Sequence, residues 1–97
     1  MAEQVEFYDL IEVRKRISKI QDSIILINSK GSIRFLGPIV VDHIFKTLKL
    51  EFNIEKEIFR VDDDIAGLFY AMKKNYRNIL YTGPSNRAKK LLAVYNT

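Results

Sequence analysis

The sequence predicts an α+β domain built on a five-stranded antiparallel sheet with helices on both faces. Three observations carry that expectation. Extended runs follow one another in a pair and then a triplet, rather than alternating singly with helices as in a doubly wound sheet. The run at 24–27, Ile-Ile-Leu-Ile, is apolar on both faces and asks for cover on each side. Turn-forming residues, above all Asn28-Ser29-Lys30-Gly31, stand between extended runs where hairpins need them. A chain of 97 residues supports one hydrophobic core, so residues 1–97 are expected to form a single domain.

The elements follow in order. In residues 4–20, QVEFYDLIEVRKRISKI, the side chains of Leu10, Val13, Ile17 and Ile20 recur at steps of three and four. That spacing predicts one helix, with Phe7 extending its apolar face. Residues 24–27 form an interior strand. Lys30 then stands at the tip of a hairpin turn, and Ile33, Arg34, Phe35 and Leu36 return as a second strand. A phosphate-binding loop would need a helix to start at Gly31; the β-type residues that follow, and the missing GxxxxGK[ST] spacing, favour the hairpin.

Gly37-Pro38 opens a helix over 39–52, since proline is preset for a first helical turn. Val40, Val41, Ile44, Phe45, Leu48 and Phe52 fill one arc of it. Ile39, His43 and Leu50 form a second stripe on the opposite side, with Lys46 beside them. A helix with a single core face needs no such stripe, so a second packing partner is expected, most simply another copy of the helix. Residues 54–61 read as an edge strand, with Ile58 on one face and Phe59 and Val61 on the other. After Asp62-Asp63-Asp64, residues 65–73 and 78–82 read as a second hairpin, although Ile65, Leu68, Phe69 and Tyr70 satisfy a helical period equally. Thr82-Gly83-Pro84-Ser85 starts a closing helix, with Ala88, Leu91, Leu92 and Tyr95 at helical spacing.

Chemistry-bearing residues are sparse. The absence of Cys removes disulfides, thiolate nucleophiles and Cys-based zinc sites. No apolar run approaches the ~18 residues of a membrane span, and the N-terminus lacks a basic signal region; a cytoplasmic location is expected. Asp62, Asp63 and Asp64 could hold Mg²⁺, but consecutive carboxylates point in different directions and read as an acidic turn. The TGPSN stretch at 82–86 reads as a helix cap. His43 is the sole histidine and has no triad or zinc partners. No catalytic residue, metal or cofactor is therefore expected, and the protein is not read as an enzyme. Residues 65–97 carry Lys73, Lys74, Arg77, Arg87, Lys89 and Lys90 and no acid, a candidate surface for an acidic protein or for nucleic acid.

This order of elements resembles the roadblock/LC7 (dynein light-chain roadblock-type) family. The opening helix at 4–20, the hairpin SIILINSKGSIRFLG, the helix PIVVDHIFKTLKLEFN, the meander IEKEIFRVDDDIAGLFYAMKKNYRNILYTG and the closing SNRAKKLLAVYN carry the resemblance over essentially the whole chain. It implies a non-enzymatic homodimer or heterodimer that scaffolds or regulates a Ras-like small GTPase or a related assembly. It also implies that the central helix packs on its partner copy through Ile39, His43, Lys46 and Leu50. The third strand would pair edge to edge through residues 57–61, including Glu57, Ile58, Phe59 and Val61. The all-basic last third and the glycine-free Asp62-Asp63-Asp64 turn depart from that pattern. Two other readings stand beside it: a small basic nucleic-acid-binding module, and a doubly wound α/β domain binding a phosphorylated ligand at Asp62, Asp63, Asp64 and residues 82–86. The last requires 65–73 to be helical.

Overall fold

The structure, a computed structural model, describes residues 2–97. Nine elements run β1 (Glu3–Phe7), α1 (Leu10–Ile17), β2 (Ile24–Asn28), α2 (Ser32–Leu36), α3 (Pro38–Glu51), β3 (Ile54–Asp62), α4 (Ile65–Lys73), β4 (Asn78–Tyr81) and α5 (Asn86–Tyr95). The strands form one sheet in the order β1-β2-β3-β4, and every neighbouring pair is parallel. The expected five-stranded antiparallel sheet is thus replaced by a four-stranded parallel one, an α/β fold. A parallel pair cannot be joined by a tight turn, so each connection must carry a helix. Three segments read otherwise from the sequence supply what that demands.

Residues 4–20 are a strand and a helix. Val5 and Phe7 alternate into the core, and Asp9 starts α1 by accepting hydrogen bonds from Ile11 N (2.7 Å) and Glu12 N (3.1 Å). Residues 32–36 are helical rather than extended. Gly31, at φ 86°, takes the left-handed conformation that turns the chain out of β2 into α2. Residues 65–73 are helical as well. Asp64 caps α4 by accepting from Gly67 N at 2.8 Å, and Gly67, Leu68 and Ala71 form its buried face. The helices at Pro38–Glu51 and Asn86–Tyr95 lie where the sequence puts them.

Val5, Phe7, Ile24, Leu26, Phe59 and Val61 of the strands share one core with Val13 and Ile17 of α1, Val41, Ile44, Phe45 and Leu48 of α3, and Leu68 and Ala71 of α4. These helices therefore lie on one face of the sheet, as right-handed crossovers in this strand order require. Ala88 of α5 joins the same core. Phe45 sits at its centre, 5.1 Å from the Phe7 ring and 5.7 Å from Phe59. The alternate strand residues point the other way. There Gln4, Glu6 and Lys56 are exposed, Ile25, Ile58 and Leu80 are half-buried, and Ile27 is buried. Arg60 reaches across β2 towards the Glu6 carboxylate, at 3.6 Å.

β3 lies second from the edge, between β2 and β4. Edge-to-edge pairing through Glu57, Ile58, Phe59 and Val61 is consequently closed to it. Phe59 and Val61 are core residues, Glu57 accepts a hydrogen bond from Lys49 Nζ (3.3 Å), and Ile58 faces away from the helices.

Candidate functional site

In an open parallel sheet the first place to look is the carboxyl edge, where strands deliver their ends to loops and helix starts. Here that edge gathers Asn28 to Gly31 after β2, Asp62 to Asp64 after β3 and Thr82 to Ser85 after β4. Several of its polar groups are engaged within the fold. Asn28, fully buried, accepts from Arg60 N (2.7 Å) and donates to Arg60 O (2.7 Å) and Ser32 Oγ (2.8 Å). It therefore continues the β2–β3 ladder with a side-chain amide. The Gly31 N–H, which opens α2, donates to Asp62 Oδ2 at 2.9 Å. The Asp62 carboxylate thus takes the position where a phosphate would sit on such a loop. Asp64 and Ser85 cap α4 and α5, and Asp63 lies 3.5 Å from Arg34 at the surface. The acidic triplet is accordingly a lock, a surface charge and a cap. Among the described residues no group of three or more His, Asp or Glu is placed to hold a metal.

The opposite, amino edge holds a cleft between the end of α3, the start of β3 and the α4–β4 loop. Its floor is built by the way α4 stops. Asn75 adopts φ 64°, and the chain closes α4 with hydrogen bonds from Asn75 N to Met72 O (3.0 Å) and from Tyr76 N to Ala71 O (3.1 Å). That pair of bonds is a Schellman motif, with Asn in the left-handed position usually held by Gly. It folds Tyr76 into the core against Phe59, at 4.5 Å between rings, and aims its hydroxyl at α3. There Asp42, only 5% exposed, accepts from Tyr76 (2.5 Å), Tyr70 (3.1 Å) and Lys46 Nζ (3.1 Å). Burial pushes the Asp42 carboxyl up. The hydrogen bonds from Tyr76, Lys46 and Tyr70 and the charge of Lys46 outweigh it and hold the group below the usual carboxylate range. Burial first, and then the Asp42 carboxylate, push both tyrosine hydroxyls up.

Around this buried knot the cleft is cationic: Lys46, Lys49, Lys56, Lys74 and Arg77 line it, against Asp42, Glu55 and Glu57. Of the basic residues singled out in the sequence, Lys73, Lys74 and Arg77 lie at this end of the molecule. Arg87, Lys89 and Lys90 lie near the start of α5, which leaves the carboxyl end of β4. The topology therefore splits the six between two ends. The outer stripe of α3 faces solvent along its length. Leu50 is 90% and Ile39 71% exposed, with His43 and Lys46 exposed between them.

The sequence reading missed Asp42, Tyr70 and Tyr76. One signal was present, an acid set among the apolar residues Val40, Val41, Ile44 and Phe45, four positions before a lysine. Nothing in the spacing joins that acid to tyrosines 28 and 34 positions later. No helix among the described residues is long and apolar enough to cross a membrane.

No family model and no solved structure matches the chain. Among curated proteins, the uncharacterized protein RP547 of Rickettsia prowazekii (strain Madrid E) is 40% identical over 100 residues, an alignment spanning 99% of this chain and 93% of that protein. At that identity, over nearly the full length of both, the chain belongs to the same family as the Rickettsia protein RP547.

Proposed function

We propose that this protein is a non-catalytic protein-binding module that self-associates through the outer face of α3. The observation that carries the reading is the exposure of Leu50 and Ile39 on a helix whose inner face is already buried by the sheet. The spacing fits a second copy in particular. Ile39 and Leu50 are equidistant from the midpoint of the stripe, and so are His43 and Lys46. Two antiparallel copies related by a two-fold axis would then set Ile39 against the partner's Leu50 at both ends and His43 beside the partner's Lys46. The stripe spans about 16 Å at 1.5 Å per residue, three turns of contact. The engagement of Asn28, Asp62, Asp64 and Ser85 at the carboxyl edge in structural hydrogen bonds supports a non-catalytic role. The small-GTPase partner was an implication of the roadblock/LC7 resemblance, whose hairpin and meander are parallel βα units here, and it forms no part of this proposal.

The test is solution mass by light scattering over a range of concentrations, on wild type and Leu50→Glu, with urea unfolding as a check on the fold. A wild-type dimer of twice 11.3 kDa is expected. Two Leu side chains leave the interface at once, each worth about 1.5–3 kcal/mol, so the variant's dissociation constant should rise by about 100-fold or more. A wild-type monomer throughout, or a Leu50→Glu dimer as tight as wild type, would overturn the proposal.

A further inference from the structure

The amino-edge cleft has more positive charge than its own acids and helices account for. Lys46 is held by Asp42 at 3.1 Å and Lys49 by Glu57 at 3.3 Å. Lys74 lies at the carboxyl end of α4, where the helix dipole favours a cation, and 5.7 Å from the centre of the Tyr70 ring. Lys56 and Arg77 have no such account. One is on a strand, the other in a loop, and neither makes an ion pair among the described residues. Both border the same cleft, Lys56 from the outward-pointing side of β3 and Arg77 from the α4–β4 loop, and both also line its neighbour, which opens along β4 towards Asn96. Arg77 further borders a third hollow beside Tyr95 and Thr97.

We propose that Lys56 and Arg77, with Lys74 and the Asn78 amide lining the same cleft, bind the phosphoryl group of a small phosphorylated ligand. Several points favour this chemistry. Arg offers a planar fork of donors that matches two phosphoryl oxygens, and Lys adds a mobile point charge. A dianion draws on more than one cation at once, which suits a cluster better than a single carboxylate would. A nucleic-acid backbone fits less well. Glu55 and Glu57 stand in the cleft wall and would repel a continuous run of phosphates, whereas a single phosphoryl group can seat away from them. The remaining cations near the start of α5 lie at the other end of the fold and cannot extend the track. Lys46 of the α3 stripe also lines this cleft, but Lys56 and Arg77 lie outside the Ile39–Leu50 stripe, so substitutions there test the site apart from self-association.

The experiment is calorimetric titration of the full chain with inorganic pyrophosphate at low and moderate salt, alongside a single-stranded homopolymeric RNA. Wild type is expected to bind pyrophosphate saturably, one per chain, and more weakly as salt rises. Arg77→Gln and Lys56→Gln should each weaken binding about tenfold or more, the loss of one charge-assisted hydrogen bond. Arg87→Gln, at the far end, should leave it unchanged. Thermal melts of the variants establish that each is folded, and Lys56→Gln, at an exposed position, carries the test if Arg77→Gln does not fold. Absence of saturable pyrophosphate binding overturns the proposal. So does equal weakening by Arg87→Gln, which would mean diffuse attraction, or tight RNA binding without pyrophosphate binding.

Discussion

At the scale of single residues, the fold places one charge in its interior and satisfies it completely. Asp42 takes three donors, from its own helix α3, from α4 and from the α4–β4 loop, and among the described residues no buried side-chain nitrogen or oxygen is left without a hydrogen-bond partner. Removing one donor exposes how much the arrangement contributes. Tyr76→Phe keeps the ring against Phe59 and Phe45 and deletes only the hydroxyl, which should cost about 1–3 kcal/mol at pH 7 because a buried carboxylate loses a partner. The pH dependence follows from the lowered Asp42 value. A carboxyl whose folded pKa lies below its unfolded one contributes stability that is fully present above the ordinary carboxylate range. That contribution is lost as pH falls through the folded value. The gap between wild type and Tyr76→Phe in urea unfolding should therefore be full at pH 7 and narrow below about pH 4. A gap of the same size at pH 3 would mean that the hydroxyl contributes by some route other than the Asp42 charge.

At the scale of elements, what was legible was the extent of apolar runs, and what was not was the period of the short ones. Residues 38–51 and 86–95 carry enough turns for a helical pattern to declare itself, and each begins at a recognisable signal, Pro38 or Ser85. Segments 32–36 and 65–73 are too short or too uniformly apolar for a period to be read, so the turn residues beside them, Asn28–Gly31 and Lys73–Asn78, outweighed the helix signal. For α4 that signal was Asp64 ahead of the run, an N-cap read as part of an acidic turn. Asp9 was passed over in the same way because the apolar spacing of α1 was carried back into β1. Misreading α4 decided the fold, since a helix between two strands permits a parallel pair and a strand there forbids it. The end of α4 was equally hidden: Asn75 looks like a hairpin-turn residue and serves as a helix stop. Its left-handed backbone makes a specific prediction. Asn75→Ala should cost about 1 kcal/mol, as a Cβ without a compensating side-chain hydrogen bond is forced to positive φ. Asn75→Gly should be neutral or slightly stabilising. Chemical denaturation of the pair orders them, and an Ala variant as stable as the Gly variant would remove the Schellman account.

At the scale of the whole molecule, the unusual feature is a parallel sheet whose helices gather on one side. Parallel sheets are as a rule covered on both faces, and their strands read as continuous apolar runs. β2 obeys that description and was read accordingly. β1 and β3 do not, because Gln4, Glu6, Lys56 and Arg60 occupy the positions that point away from the helices. The charged alternation in residues 54–61 is thus the mark of a single-sided sheet, not of an edge strand. Strand order made the difference: each strand neighbours its successor, so every crossover turns the same way and none returns over the second face. This architecture predicts a sharp parity in the effects of neighbouring substitutions. Phe59 is fully buried among Phe45, Tyr70 and Tyr76, and Phe59→Ala should cost about 3–5 kcal/mol. Ile58, one residue earlier and half-buried on the open face, should lose only about 1 kcal/mol as Ile58→Thr, since Thr keeps the β-branch and water already reaches the site. Leu26 and Ile25 on β2 should repeat the contrast, with Leu26→Ala costing about 2–5 kcal/mol and Ile25→Thr far less. Urea unfolding of the four variants, measured below the concentration at which copies associate, decides the point. Comparable losses on both parities would require a second layer over the open face in the isolated chain, and the one-sided packing described here would then be wrong.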